Sequence, residues 1–323
     1  MMKKGGTSCS GRYLHAALPA LLLALGSLGC ARYTGSVLCA ACEESGVVGD
    51  GPTDGALPMD GPDGLMEPSI TIVPGSFSMG SPEGEICREP WSSLETEHPV
   101  ALTRGFRLAT TEVTQSEFSS QMGYTPSTHR CDECPVETLS WHEAAAYCNA
   151  LSDDAQLERC YECEGTGPTV TCAVIATTGN FSDCLGYRLP TEAEWEYTIR
   201  AGSSDASYLG PISSCDNDPL IDQLGWYKGN SSTPQAVGGK KANAWGLHDM
   251  GGNVWEWCND WHIDDLGTAA VSDPWGPPTG THRIVRGGSF EDRADRLRSA
   301  MRDSSPPSEG LPFVGFRWAR TTP

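Results

Sequence analysis

Positive charge is scarce in this chain: 22 lysines and arginines stand against 42 aspartates and glutamates, a formal charge of −20 over 323 residues. A surface of that sign repels nucleic acid and anionic lipid headgroups, so neither is expected as a partner, and divalent cations are its natural counterpart. No internal repeat is visible, and beyond residue 203 long periodic runs are few, so short strands and long Gly- and Pro-containing loops are expected there. The stretch VRGGSFEDRADRLRSAMRD, residues 285–303, has no cysteine, although the chain has fourteen. What is present is a globular composition. A chain that is 38% hydrophobic with ten tryptophans can bury a core in one large domain or two ordinary ones.

The first thirty residues read as an export signal. Lys3, Lys4 and Arg12 form a basic start, and residues 16–28 are an apolar run containing Pro19, too short for a spanning helix of roughly 20 residues. It ends in Ser27-Leu28-Gly29-Cys30, which resembles the lipobox of bacterial lipoproteins, with Ser27 where a leucine is usual. Lipidation at Cys30 is therefore expected, with ordinary signal cleavage nearby as the alternative. Two acyl chains would give firm anchoring to a bacterial envelope membrane, facing the periplasm or the outside. The net charge becomes more negative still once the three signal cations are removed.

Export also accounts for the cysteines, because disulfides persist in oxidising compartments. Setting aside Cys9 in the signal and Cys30 as the lipid site leaves twelve, an even number that allows six bridges of unknown pairing. Cys131-x-x-Cys134 and Cys160-x-x-Cys163 have the outline of a zinc ribbon, but in an exported protein the disulfide reading is preferred. Cys258 is expected in a bridge to a residue such as Cys215, and complete pairing would leave no reactive thiol.

Three regions follow: residues 1–29 as signal, 30–69 as an acidic Gly- and Pro-rich tether, and 70–323 as the folded domain. The tether has no aromatic residue or hydrophobic period past Tyr33 and cannot offset its ordering entropy, while Cys39 and Cys42 near its start form a local clip. Order begins with SITIVPGSFSMGS (69–81), where two short alternating runs flank Pro74-Gly75 and predict a hairpin. A helix is predicted over 141–152, with Ser140 as N-cap, Glu143 closing a capping box, and Trp141, Ala145 and Cys148 on one face. A second is predicted within 188–202, capped by Thr191 and Glu194 and stopped by Gly202. Between them, the insert 153–187 carries Cys160, Cys163, Cys172 and Cys184 and reads as a disulfide-stapled excursion.

From residue 70 on, eight blocks occur in order: VPGSFSMGS, EHPV, TTEVTQSEF, PVETLSWHEAAAYCNALS, YRLPTEAEWEY, NAWGLHDMGGNVWEWCNDW, RIVRGGSF and VGFRWAR. On these the chain resembles the formylglycine-generating enzyme, or sulfatase-modifying factor, family. The resemblance implies an α+β domain related to the C-type-lectin fold, with little regular secondary structure. It also implies calcium on the HDMGGNVWEW segment, with ligands falling on Asp249, Gly252, Val254 and Glu256, the middle two through backbone oxygens. That agrees with two hard carboxylates flanking a glycine turn. The alternative is that Asp249 and Glu256 are exposed loop acids while Trp255 and Trp257 pack the core. A second, upstream calcium site of the family finds no match in 215–245.

In the family's oxidases the block equivalent to Arg286, Gly287, Gly288 and Ser289 is followed by two cysteines that bind copper(I), a soft ion suited to sulfur. Here those two positions hold Asp292 and Leu297, so the resemblance implies that copper chemistry is removed while its scaffold stays. A related branch of sulfoxide synthases uses non-haem iron held by closely spaced histidines on a separate helical domain. His98, His129, His142, His248, His262 and His282 never fall within four residues of one another, so iron is not expected either. Arg286, Arg293, Arg296, Arg298 and Arg302 make this segment basic. The preferred reading is a solvated face with Asp292 and Arg296 paired on a helical turn, and the sharper one is a groove that grips an acidic ligand through arginine forks.

Two functions then compete. The first is an envelope-anchored binding or accessory module with a protein or small-molecule ligand. The second is an oxidase or maturation enzyme of the same superfamily with a divergent active site.

Overall fold

The computed structural model describes residues 68–88, 93–175 and 179–323. The signal, Cys30, the Cys39/Cys42 clip and almost all of the tether lie outside the described residues.

Strand β1 (Ser69–Ile72) and strand β2 (Gly75–Met79) form where alternation predicts strands, but they do not pair with each other. They run instead beside β4 (Phe106–Ala109) and β3 (His98–Leu102), with Ile72 opposite Phe106 and Gly75 opposite Leu102. The expected hairpin is thus corrected to one interrupted ribbon. Pro74 has no N–H to give a ladder, so it marks the break between two sheets instead of a reversal.

The first sheet has the order β1-β4-β13-β7, with β13 (Ala319–Thr321) and β7 (Tyr187–Arg188) completing it. The second, β11-β10-β8-β12, combines β8 (Trp255–Trp261), β10 (Arg283–Arg286), β11 (Arg302–Ser305) and β12 (Val314–Gly315). A third joins β2 and β3 to β9 (Val271–Ser272), and β5 (Tyr161–Glu164) pairs with β6 (Thr171–Val174) in the insert. The insert is stapled as expected, by Cys160–Cys184 and Cys163–Cys172, the latter joining residues directly opposite on β5 and β6.

Three helices begin with complete capping boxes: α1 (Gln115–Met122) at Thr114 and Glu117, α2 (Trp141–Asp154) at Ser140 and Glu143, and α3 (Glu192–Arg200) at Thr191 and Glu194. In each, the cap hydroxyl and the glutamate satisfy backbone donors that the helix leaves unbonded. A single turn, α4 (Ile221–Leu224), follows. Trp141, Ala145 and Cys148 are all buried against α1, β7 and the insert, as the pattern on α2 requires.

Helix α3 presents Glu192, Glu194 and Glu196 inward, each to a different arginine. Glu192 takes the Arg302 fork at 2.5 and 2.8 Å, Glu194 takes Arg188 at 2.7 Å twice, and Glu196 takes Arg286 and Arg200. Arg298 makes a further buried fork onto Glu95 and reaches Glu85. Neither reading of the basic segment holds for these three: Arg286, Arg298 and Arg302 are buried struts, so they are neither a solvated face nor a ligand groove. Nor does Asp292 pair with Arg296, whose Nη1 lies on Met301 Sδ. Every desolvated glutamate of this network meets at least one guanidinium, the arrangement in which Coulomb attraction and hydrogen bonds offset the cost of burial.

Cys87–Cys215 and Cys131–Cys134 are the other bridges among the described residues, so the zinc outline is absent. Cys258, expected with Cys215, is instead a fully buried thiol in the middle of β8, and Cys148 is a second thiol outside the disulfides. Cys258 faces the apolar cluster around Trp195 and Ile284, and burial pushes its thiol well above the ordinary range. Complete pairing therefore fails, because both side chains serve as core volume.

Candidate site at the RGGS turn

Strand β10 runs into Gly287 and Gly288, both with positive φ, and the chain turns so that Ser289 faces inward. The Ser289 hydroxyl donates to Asp292 Oδ2 at 2.6 Å, and the same oxygen accepts from Ser289 N at 3.0 Å and Trp255 Nε1 at 2.8 Å. Asp292 is therefore the acceptor that closes the turn. Leu297 is buried with Ile221, Leu224 and Ala294. A Cβ placed on Gly225, Gly252 or Gly288 would come within 3.0 Å of its δ carbons. The two positions set apart by the resemblance are both built into the surrounding structure.

The 249–256 segment is locked against this turn. Gly252 N donates to Gly287 O and Phe290 N to Asn253 O, each at 2.9 Å, and Asp249, Gly252 and Asn253 all adopt left-handed backbone. Asp249 is buried rather than an exposed loop acid: its Oδ2 accepts from Gly238 N at 2.5 Å, and its Oδ1 is buried without a partner. Val254 N donates to Glu112 Oε1. Glu256 is buried as well, held by the Arg317 fork at 2.7 Å twice and by Trp195 Nε1 at 2.8 Å.

Glu112 is the residue that sequence reasoning missed. It lies fully buried with Asn253 Nδ2 on its second oxygen. Burial, and then the charges of Asp249 and Glu256, push its carboxyl well above the ordinary range. Burial likewise raises Asp249. Three acids thus share one guanidinium, Arg317. Among the described residues, no three acidic, histidine or cysteine side chains converge as a metal cage on their own. Asp249 Oδ1 is buried without a partner beside this surplus of acid, and hard oxygen donors of this kind suit calcium.

Residues 56–322 match the family described as sulfatase-modifying factor enzyme 1-like domain. The chain belongs to the sulfatase-modifying factor family. The match begins at residue 56, inside the segment read as tether. Among family relatives, a protein named chaperone protein LppX from Paenibacillus barcinonensis is 34% identical over 57% of this chain and 69% of its own. The formylglycine-generating enzyme of Thermomonospora curvata is 35% identical over 48% of this chain, which spans 59% of that enzyme. The structure of Treponema denticola variable protein 1 superimposes with a TM-score of 0.64 at 29% identity, covering 79% of this chain and 95% of that one. PvdO from Pseudomonas aeruginosa, at 22% identity, shares the fold with a TM-score of 0.61. The α+β, disulfide-stapled architecture is that of the formylglycine-generating enzyme and C-type-lectin-like fold family.

Proposed function

We propose that this family member is a binding or accessory module carried on a rigid disulfide-held scaffold, and that it does not form formylglycine. The observation that carries the reading is the pair of positions 292 and 297. A carboxylate committed to three hydrogen bonds and an aliphatic side chain wedged among glycines offer no soft ligand to copper(I). The described cysteines elsewhere supply none, being bridged or, for Cys148 and Cys258, buried in the core. The family relative named as a chaperone protein points the same way.

Calcium completes the reading as a structural ion held by Asp249 and Glu256 with the backbone oxygens of Gly252 and Val254, where it would balance the surplus acid beside Arg317. Lipid at Cys30 would tether the module to the bacterial envelope through the Gly- and Pro-rich segment. The test is a peptide with the sulfatase Cys-x-Pro-x-Arg sequence, incubated with the protein, copper and oxygen and followed by mass spectrometry. The peptide should come back unchanged. Conversion of its cysteine to an aldehyde would overturn the proposal.

A further inference from the structure

A cavity of about 450 Å³ lies away from the RGGS turn, between the end of β8, the start of α3 and the 271–276 segment. None of Asp249, Gly252, Val254, Glu256, Ser289 or Asp292 lines it. Its volume falls within the range of small-molecule sites, roughly 300–1,000 Å³. The walls are largely apolar, with Trp261 and Trp275 as the aromatic surfaces and Met79, Leu266 and Val271 beside them.

Two acceptors reach this cavity. Asp260 is 4% exposed, and only its Oδ2 is engaged, by Glu192 N at 2.9 Å; its Oδ1 has no hydrogen bond from the protein. His98 lies with Nδ1 on Thr96 O at 3.0 Å, and with the proton on that nitrogen its Nε2 is an acceptor. The arginine in the lining, Arg302, is forked onto Glu192 and donates to the carbonyls of Leu94 and Ile263. The indole N–H groups of Trp261 and Trp275 and the Ser272 hydroxyl are neutral donors in the lining, but a carboxylate or phosphate ligand would find no cation to pair with beyond Arg302, already held by Glu192, and would face the carboxylates of Asp260 and Asp273. A ligand with a positive donor and an apolar body meets matching groups on every side.

We propose that this cavity binds a small organic ammonium compound, its cationic nitrogen on Asp260 and its apolar body against Trp261 and Trp275. The neighbouring charges support the assignment. Glu192 is matched by Arg302, Glu194 by Arg188, and Arg283 is stacked between Trp141 and Trp261 with its Nη1 on Asn259 O. Burial first, and then the charges of Glu192 and Glu194, push the Asp260 carboxyl well above its ordinary range. A bound ammonium would offset the same surplus of negative charge.

The experiment is isothermal titration of the full chain with three ligands that share an indole body: tryptamine, the neutral alcohol tryptophol and the anion indole-3-propionate. Tryptamine should bind about tenfold or more tightly than either of the others, as a charge-assisted hydrogen bond warrants. Asp260→Asn should abolish the preference for tryptamine. Trp275→Ala, at a partly exposed wall residue, should weaken all three ligands while leaving the preference for tryptamine, and it serves alone if the Asp260 variant does not fold. Equal affinity for tryptophol, or no binding of tryptamine at millimolar concentration to protein that melts normally, would overturn the proposal.

Discussion

Along α3 Glu192, Glu194 and Glu196 each have a guanidinium partner, whereas at the 249–256 segment Glu112, Asp249 and Glu256 share Arg317 alone. Both regions are equally dry, so the contrast lies in charge balance and not in solvent. The first stores no unmet demand and acts as a strut. The second holds excess negative charge that a cation could relieve. The lesson is that burial of charge by itself does not mark a binding site; the residue of unbalanced charge does.

The contrast is broken most strongly at the strut. Glu192→Gln leaves Arg302 without its anion and should cost about 3–5 kcal/mol, read as a fall in denaturant midpoint. If that variant melts like the parent, the matched region is not load-sharing. At the surplus, calcium should raise the melting temperature by an amount that grows with concentration, about 2.7 kcal/mol at a hundredfold excess over its Kd. In chelator, Glu112→Gln removes a like charge but turns its amide N–H groups toward Val254 N or Asn253 Nδ2, both of which donate to Glu112, so it should cost only about 1 kcal/mol. The same replacement costs more at Glu192, and it is the difference in size between the two that sharpens the comparison.

The smallest effect is expected from mild acid. Burial alone would raise the Glu95 and Glu192 carboxyls, yet the forks of Arg298, and of Arg302 and Arg286, hold both below the usual glutamate range. Such groups contribute stability that is present above their unfolded pKa of about 4.3 and is lost as pH falls through the lower folded values. Stability should hardly change between about pH 7 and 5 on their account and should fall below about 4. Loss of midpoint between 7 and 5 that disappears in an Arg298→Met variant would contradict this.

Local signals were legible in the sequence where the partner is near in the chain. Ser140 with Glu143, and Thr191 with Glu194, are three residues apart, and the structure has both boxes. Thr114 and Glu117, also three residues apart, carry the same signature for α1 within the TTEVTQSEF block. Signals failed where the partner is remote. Arg298 meets Glu95 across 203 residues and Arg302 meets Glu192 across 110, so counting charges in 285–303 could not tell a strut from a surface. Alternation likewise predicts strands over 69–79 but not that their partners lie at 98–109. The resemblance singles out Asp249, Gly252, Val254 and Glu256 only as ligand positions, while their place against the RGGS turn, and that of Glu112 beside them, come from tertiary contact.

Leu297 gives the fold a kind of memory. Because three glycines leave just enough room for its isobutyl group, grafting cysteines onto 292 and 297 would empty a space at one position and strip the turn of its acceptor at the other. Each replacement alone therefore costs packing at 297 or a hydrogen-bond acceptor at 292, so the two packed loops would have to change together.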